Sequence, residues 1–119
     1  MDQNQPNQVQ LGIIETKRRE LQTILENILS SNGLEKNVYF QPPETLKMSY
    51  PCIVYHRQYM TKIPADNIKY LANRQYRITY IDRSPISGVI ESLLELPFCR
   101  YISHSIVDNL NQDAFEIYY

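Results

Sequence analysis

Two histidines and two cysteines are the residues of this chain whose types could support metal or nucleophilic chemistry. Cys52 and His56 lie close together in sequence, whereas Cys99 and His104 follow far downstream. A structural zinc site needs about four nitrogen, sulfur or carboxylate ligands, and these four side chains do not have the spacing of a ligand set. A Cys/His nucleophile pair has no support beyond composition. We therefore predict that these side chains are structural and that the chain binds no cofactor and no metal.

A pair of glutamates offers the other possible chemistry. Glu91 and Glu95 are one helical turn apart, and paired carboxylates can act as a general acid and base. Their expected place, however, is the solvent face of a helix. The three glycines are scattered and form no phosphate-binding loop. Because no nucleophile, base and orienting group can be assembled, we predict that the protein is not an enzyme.

Charge is distributed unevenly along the chain. From Arg57 to Arg83, six basic residues oppose two acidic ones, a charge of +4; from Ser84 to Tyr119, one basic residue opposes five acidic ones, a charge of −4. A basic stretch rich in tyrosine can bind single-stranded nucleic acid, or it can attract the acidic half of a neighbouring subunit. The net charge of −1 favours the second interpretation, because nucleic-acid-binding modules carry a clear positive excess.

The composition is that of one globular domain. The chain has 119 residues, of which 43% are hydrophobic and 21% charged, enough for a single core. Ten tyrosines favour protein contacts, since tyrosine joins an apolar face to a polar tip. Cys52 and Cys99 lie in apolar runs and are predicted to be reduced thiols. The first residues do not resemble a secretory signal, and no apolar run approaches the roughly 20 residues of a membrane span, so we expect a soluble protein made in a cytoplasm.

Hydrophobic periodicity indicates the order of the elements. Residues 1–10, rich in Asn and Gln, predict a flexible arm, and residues 11–119 predict a single domain. Apolar residues recur at helical spacing over 11–31, where Gly33 is expected to end the helix. Strand-like runs, and a second helix opened by Ser84–Pro85, follow. The strand-like runs are 37–41, 50–61, 74–83, 99–109 and 113–119, with a long connection over 62–73.

This order predicts an α+β fold. We expect a mostly antiparallel sheet of about five strands, with the long N-terminal helix first and both helices packed on one face.

Several motifs of the chain resemble those of tail terminator, or tail completion, proteins of long-tailed bacteriophages. The run YPCIVY leads to ADN and then to YRITYIDRSP, and a leucine-rich helix ending in LPFC is followed by DNLNQ and an aromatic end. The resemblance covers about residues 38–119. It departs from the family pattern at Gln112, where a histidine is typical. The matching positions are Tyr50, Pro51, Ile53, Val54, Tyr55, Ala65, Asn67, Tyr76, Ile78, Thr79, Ile81, Asp82, Arg83, Pro85, Leu96, Pro97, Cys99, Asp108, Asn109, Leu110 and Asn111.

The resemblance implies a non-enzymatic virion protein of the tail or neck, assembled in the cytoplasm of a bacterial host. It implies a head-to-tail ring, commonly of six copies, that caps the tail tube and offers a face to the head–tail connector. Genomic DNA would only pass through the lumen, and no membrane is involved.

The charge split and the tyrosines predict the contacts of such a ring. On the basic side the predicted interface residues are Tyr59, Lys62, Lys69, Tyr70, Arg74, Tyr76 and Arg77, and on the acidic side they are Asp113, Glu116, Tyr118 and Tyr119. Three other interpretations remain open: a head-completion or head–tail connector protein, a single-stranded nucleic-acid-binding module, and a small host-modifying phage protein.

Overall fold

A computed structural model describes residues 8–58 and 74–119 of the chain. The elements are α1 (Gln8–Ser31), β1 (Val38–Phe40), β2 (Cys52–Arg57), β3 (Gln75–Asp82), α2 (Gly88–Leu94), β4 (Cys99–Val107) and β5 (Leu110–Tyr118). Their order confirms the predicted α+β fold. The predicted arm overlaps the start of α1, and residues 1–7 and the predicted connection 62–73 lie outside the described residues.

Within the described residues, five strands form one mixed sheet in the order β1–β2–β3–β5–β4. Only the β1–β2 pair is parallel, and the other three pairs are antiparallel. β4 and β5 are joined through Asp108 and Asn109, whose φ angles are 53° and 63°. Positive φ at both central residues is typical of a type I′ turn, which matches the right-handed twist of a hairpin, and Asp and Asn tolerate it.

α1 covers one face of the sheet because its apolar residues recur every three or four positions. Leu21, Leu25 and Leu29 are fully buried in a core that also contains Ile53 and Phe115. The hydroxyl of Tyr55 adds a polar link, donating to Gln22 Oε1 at 2.6 Å and accepting from Arg18 at 3.0 Å. The helix is therefore held to β2 by packing and by satisfied hydrogen bonds.

Gly33 ends α1, as the sequence predicts. Its φ of +75° lies in the left-handed region that glycine adopts without a steric penalty. The amide of Leu34 donates to the carbonyl of Leu29 at 3.0 Å, and the amide of Gly33 donates to the carbonyl of Ser30 at 3.0 Å. This pair of bonds is a Schellman motif, which satisfies carbonyls that the helix leaves without intrahelical partners.

α2 begins later than predicted. Ser84–Pro85 does not open the helix, because the Ser84 side chain bonds the backbone of Ile86 and holds a turn. Ser87 is the N-cap instead, and its hydroxyl accepts from the Val89 amide at 3.2 Å. Val89 and Leu93 of α2 join the same core as α1, so both helices pack on one face of the sheet. Within the described segments, no helix is long and apolar enough to span a bilayer.

Candidate protein interface on the exposed edge strand

β4 is a long strand at the edge of the described sheet, and most of its side chains are exposed there. Seven of its nine residues are exposed and the other two, Cys99 and Ile102, are half-buried. The exposed residues include Tyr101, Ile106 (65% exposed) and Val107 (50% exposed). The core cluster contains fully buried residues from α1, β2, β3, α2 and β5 but none from β4. Ile106 and Val107 are therefore exposed among the described residues, whereas Tyr101 packs edge-on against Phe115 with ring centroids 5.3 Å apart.

The outer backbone edge of β4 has no strand beside it among the described residues. Among the described strands β4 pairs only with β5, and the ladder shifts register between Tyr101 and Ser103. An edge strand presents a row of free N–H and C=O groups, which proteins protect with charges, proline or bulges. Here the only charged side chain on the strand is Arg100, so the register shift is the main protective feature.

Arg100 belongs to a charge cluster around Glu116 of β5. Glu116 accepts from Arg100 at 2.5 Å and from Gln58 at 3.0 Å, and it lies 3.6 Å from an Arg77 nitrogen. These contacts, with the Arg100 hydrogen bond as the largest cause, lower the pKa of Glu116 below its usual value, although burial opposes them. The cluster ties β3, β4 and β5 together on the face of the sheet opposite the helices.

This cluster corrects part of the predicted ring contact. Arg77 and Glu116 were expected to meet across a subunit boundary, but they are cross-strand partners in one chain. Tyr76 was expected at the interface, but it is only 3% exposed and packs edge-on against Tyr55 with ring centroids 5.9 Å apart. Asp113 is also buried and accepts from the Tyr101 hydroxyl at 2.8 Å.

The other predicted interface residues divide into two groups. Tyr118, Tyr119 and Arg74 are half-buried and lie together where β5 ends, with Arg74 exchanging backbone hydrogen bonds with Tyr119 at 2.8 and 2.9 Å. Tyr59, Lys62, Lys69 and Tyr70 lie outside the described residues.

A cavity beside Phe98 adjoins Tyr118 and Tyr119. Its volume is about 280 Å³, and we name it the Phe98 pocket; its lining is Lys17, Ile24, Leu96, Pro97, Phe98, Ile117, Tyr118 and Tyr119. The Phe98 side chain is 80% exposed, and its φ is 58°. Positive φ is unusual for a bulky residue. The hydrogen bond from the Tyr118 amide to the Phe98 carbonyl, at 3.2 Å, helps to hold this backbone.

The opposite end of the sheet carries a second exposed apolar set. Ile86, in the turn before α2, is 85% exposed, and Ile106 and Val107 end β4. Ile106 and Val107 are successive strand residues, so their side chains point to opposite faces of the sheet. Phe98 and Ile86 were not predicted as interface residues. The short apolar runs that contain them give no sign of their exposure, which depends on the backbone path.

Residues of the motifs YRITYIDRSP and DNLNQ meet at the same end of the sheet as Ile106 and Val107. The Asn111 amide donates to the carbonyls of Asp82 and Arg83 at 3.3 and 3.1 Å, and Asp82 accepts from the Tyr80 hydroxyl at 2.6 Å. The Arg83 guanidinium lies 5.8 Å from the centre of the Tyr50 ring. These contacts give the motif residues a structural role, since they fix the turn after β3 against the start of β5.

The side chains with possible chemistry do not converge. His56 is exposed on β2, and His104 on β4 contacts Asn111 at 3.0 Å. Burial raises the pKa of the Cys52 thiol to about 12 and that of Cys99 to about 11. Both cysteines are free, and Glu91 and Glu95 are exposed. Across residues 8–58 and 74–119, no group of three metal-ligating side chains comes together.

Comparisons with protein-family models, with curated proteins and with solved structures find no match.

Proposed function

We propose that this chain is a non-enzymatic virion protein of a long-tailed bacteriophage, which forms a ring that caps the tail tube and joins the tail to the head connector. The observation that carries this proposal is the exposed nine-residue edge strand β4 with its apolar side chains. Such an edge is an aggregation hazard for an isolated domain, whereas it is an ordinary surface for a subunit whose neighbours cover it.

The placement of the motif residues supports the assignment to this family. Asp82, Arg83 and Asn111, which carry the resemblance, bond to one another through side-chain and backbone groups. Their recurrence in a family would follow from the turn that they build, without any shared chemistry. A structural protein needs such a turn to hold a surface in place, and it needs no convergent set of titratable groups.

The proposal is tested by disrupting the gene for this chain in the phage genome. We expect DNA-filled heads and separate tails, with no joined particles, in electron micrographs of the lysate. Tails of abnormal length would identify a tail terminator, and heads that lose their DNA would identify a head-completion protein instead. Normal joined particles would overturn the proposal. An antibody label on wild-type virions should bind at the junction of head and tail.

A titration with oligonucleotides separates the proposal from a nucleic-acid-binding function. Arg77 and Arg100 are both committed to Glu116, so the charge of this face is partly neutralised within the chain. We expect weak binding at physiological salt without dependence on base sequence. Tight, sequence-dependent binding in fluorescence anisotropy would favour the nucleic-acid module.

A further inference from the structure

The two edges of the described sheet are protected to different degrees. At the β1 edge, the carbonyl of Val38 accepts from the Gln22 side-chain amide at 3.3 Å, and two prolines, Pro42 and Pro43, follow the strand. At the β4 edge, residues 103–107 are all exposed, carry no charge and include no proline, and the register shift lies before them. Charge, proline and bulges keep sheet edges from pairing with another chain. Residues 103–107 therefore form an unprotected edge, which we name the open run.

The hairpin turn between β4 and β5 determines which backbone groups of the open run point outward. In a two-residue hairpin, the two residues that flank the turn exchange both backbone hydrogen bonds, and here these residues are Val107 and Leu110. The direction alternates along an antiparallel strand. The backbone N–H and C=O groups of His104 and Ile106 therefore point away from β5, where no other described strand lies beside them.

We infer that the open run pairs with the open run of a second copy, antiparallel to it and related by a two-fold axis. In this register, His104 of each copy lies opposite Ile106 of the other, and their outward groups form four backbone hydrogen bonds. The axis passes between the two copies of Ser105, whose side chains lie opposite one another on the sheet face away from the helices.

The shape of the edge identifies a second β4 as its occupant. An open strand edge binds an extended backbone, so the partner must also offer an unprotected strand. In a second copy, β1 is a poor partner, because it has three residues and its Val38 carbonyl already accepts from Gln22. The open run of the second copy has the matching length and the same spacing of outward groups.

The charges that flank the open run favour the same register. The nearest charged residues on its two sides are Arg100 and Asp108, and antiparallel pairing brings Asp108 of one copy towards Arg100 of the other. Arg100 contacts Glu116, but that single carboxylate also faces Arg77, so these three residues together carry one excess positive charge. The approach of Asp108 is therefore attractive, and no like charges lie opposite one another within the open run.

The pair goes beyond the proposed ring, because a two-fold contact joins two copies and cannot continue head to tail. It is a state of the free chain, in which an edge that is prone to aggregation stays covered until a neighbour in the ring replaces the second copy. The pair is measured on the purified chain and the ring in the phage. Either result can therefore fail while the other succeeds.

Sedimentation velocity of the purified full chain at increasing concentration tests the pair. The wild type should show reversible association into dimers at concentrations up to about 1 mM, with no larger species, since a contact of this size is weak. Ser105→Lys and Ser105→Glu each place like charges opposite one another across the axis, and each should weaken the dimer about fivefold. Ser30→Lys, at an exposed serine of α1, is the matched control and should associate like the wild type.

A mixture of Ser105→Lys with Ser105→Glu gives the sharpest result. Opposite charges then face one another across the axis, so the mixture should form dimers at least as tightly as the wild type. A contact elsewhere on the chain, or a head-to-tail contact, would not bring the two substituted positions together.

A separate variant tests the backbone bonds. Ile106→Pro removes an outward N–H from each copy while the bonds to β5 remain, because proline is tolerated where the N–H of an edge strand faces outward. Symmetry removes two of the four bonds, so the dimer should be about tenfold weaker.

Four outcomes would overturn the inference: a wild type that stays monomeric at every concentration, association beyond the dimer, a mixture that pairs no more tightly than its separate components, or an Ile106→Pro chain that pairs like the wild type. If Ile106→Pro unfolds by circular dichroism, the serine variants alone decide the result, since they replace an exposed side chain.

Discussion

β3 and β4 flank β5 on its two sides, both antiparallel to it, yet their surroundings differ completely. β3 has four buried and four half-buried residues, and Tyr76, Ile78 and Tyr80 all belong to the core that the helices cover. β4 contains no fully buried residue, although it carries Tyr101 and Ile106. Each strand therefore offers aromatic and branched side chains, but only β3 has a strand on each side and helices above it.

The difference shows that the position of a strand in the sheet, more than its composition, decides what its apolar residues do. On β3 they remove apolar surface from water within one chain, which stabilises the fold by about 25 cal/mol per Å². On β4, Ile106 and Val107 remain exposed to water and contribute little until another molecule covers them. The predictions that follow test this contrast, and they are ordered by the size of the expected effect.

The largest difference between the two strands should appear in the free energy of unfolding when one isoleucine on each is truncated to alanine. Ile78→Ala removes a fully buried side chain and should lower the free energy of unfolding by about 2–5 kcal/mol. Ile106→Ala removes an exposed side chain and should change it by no more than about 0.5 kcal/mol. Urea denaturation of both variants measures the difference. Equal losses would mean that β4 is part of the core after all.

Neutralising Glu116 should lower the free energy of unfolding by less than Ile78→Ala does. Glu116→Gln weakens charge-assisted bonds to Arg100 and Arg77, and we expect a loss of about 1–3 kcal/mol at pH 7. Glu95→Gln, at an exposed residue of α2, is the matched control and should change the free energy of unfolding by no more than about 0.5 kcal/mol. A similar loss in both variants would show that the cluster contributes nothing specific.

Glu116 should also make the stability of the fold depend on pH. The folded-state pKa of Glu116 is lowered, so its contribution to stability is present above the unfolded-state pKa of about 4.3 and is lost as the pH falls through the lower folded-state value. Between pH 7 and pH 3, the free energy of unfolding should therefore fall further in the wild type than in Glu116→Gln. Parallel curves from urea titrations at each pH would contradict this.

Relief of the positive φ at Phe98 should raise the free energy of unfolding by a smaller amount. Phe98→Gly removes the steric cost of positive φ in a bulky residue, about 1–2 kcal/mol, but it adds freedom to the unfolded chain. Because the Phe98 side chain is mostly exposed, little packing is lost. The net gain should be about 0.5–1 kcal/mol in urea denaturation. Asn109→Gly, at a residue that already tolerates positive φ, should gain less.

The two thiols should differ only in rate of modification. Cys52 of β2 is fully buried and Cys99 of β4 half-buried, and their pKa values are raised to about 12 and about 11. At pH 8 both should react slowly with a thiol reagent, Cys99 faster, and both should react at once in denaturant. Three inter-strand spacings separate them, about 14 Å or more, which is too far for a disulfide. A mass about two units below the reduced value would contradict this.

Sequence periodicity was sufficient for the order of the elements but not for the assignment of strand faces. Tyr76, Ile78 and Tyr80 are every second residue of a strand and therefore share one face of β3. Nothing in the alternation says which face the helices cover, and the interpretation of Tyr76 as an interface residue failed for that reason. The start of α2 was misplaced because Ser84 and Ser87 are both plausible caps, and only the turn at Ile86 distinguishes them.

The sequence does contain a basic segment followed by an acidic one. The strand order, however, determines which of these charges meet. Arg77 and Glu116 lie far apart in sequence and directly opposite one another in the sheet, so their attraction is used within one chain. A reversal of Arg77 to glutamate would place like charges side by side and would destabilise the fold itself. The exposure of Phe98 was not predictable, because it follows from a backbone angle that no residue pattern in LPFC encodes.

The turn through Asp108 and Asn109 also has a consequence for the order in which the sheet forms. It joins β4 to β5 by the shortest connection between paired strands in the described chain, and hairpins of this kind close in roughly 1–10 μs. β3 must instead find β5 across the whole of α2 and β4, at a larger cost in loop-closure entropy. The strand that contributes least to the finished core is thus expected to be among the first to pair. In refolding kinetics, a substitution of Asn109 by alanine should slow folding more than it speeds unfolding.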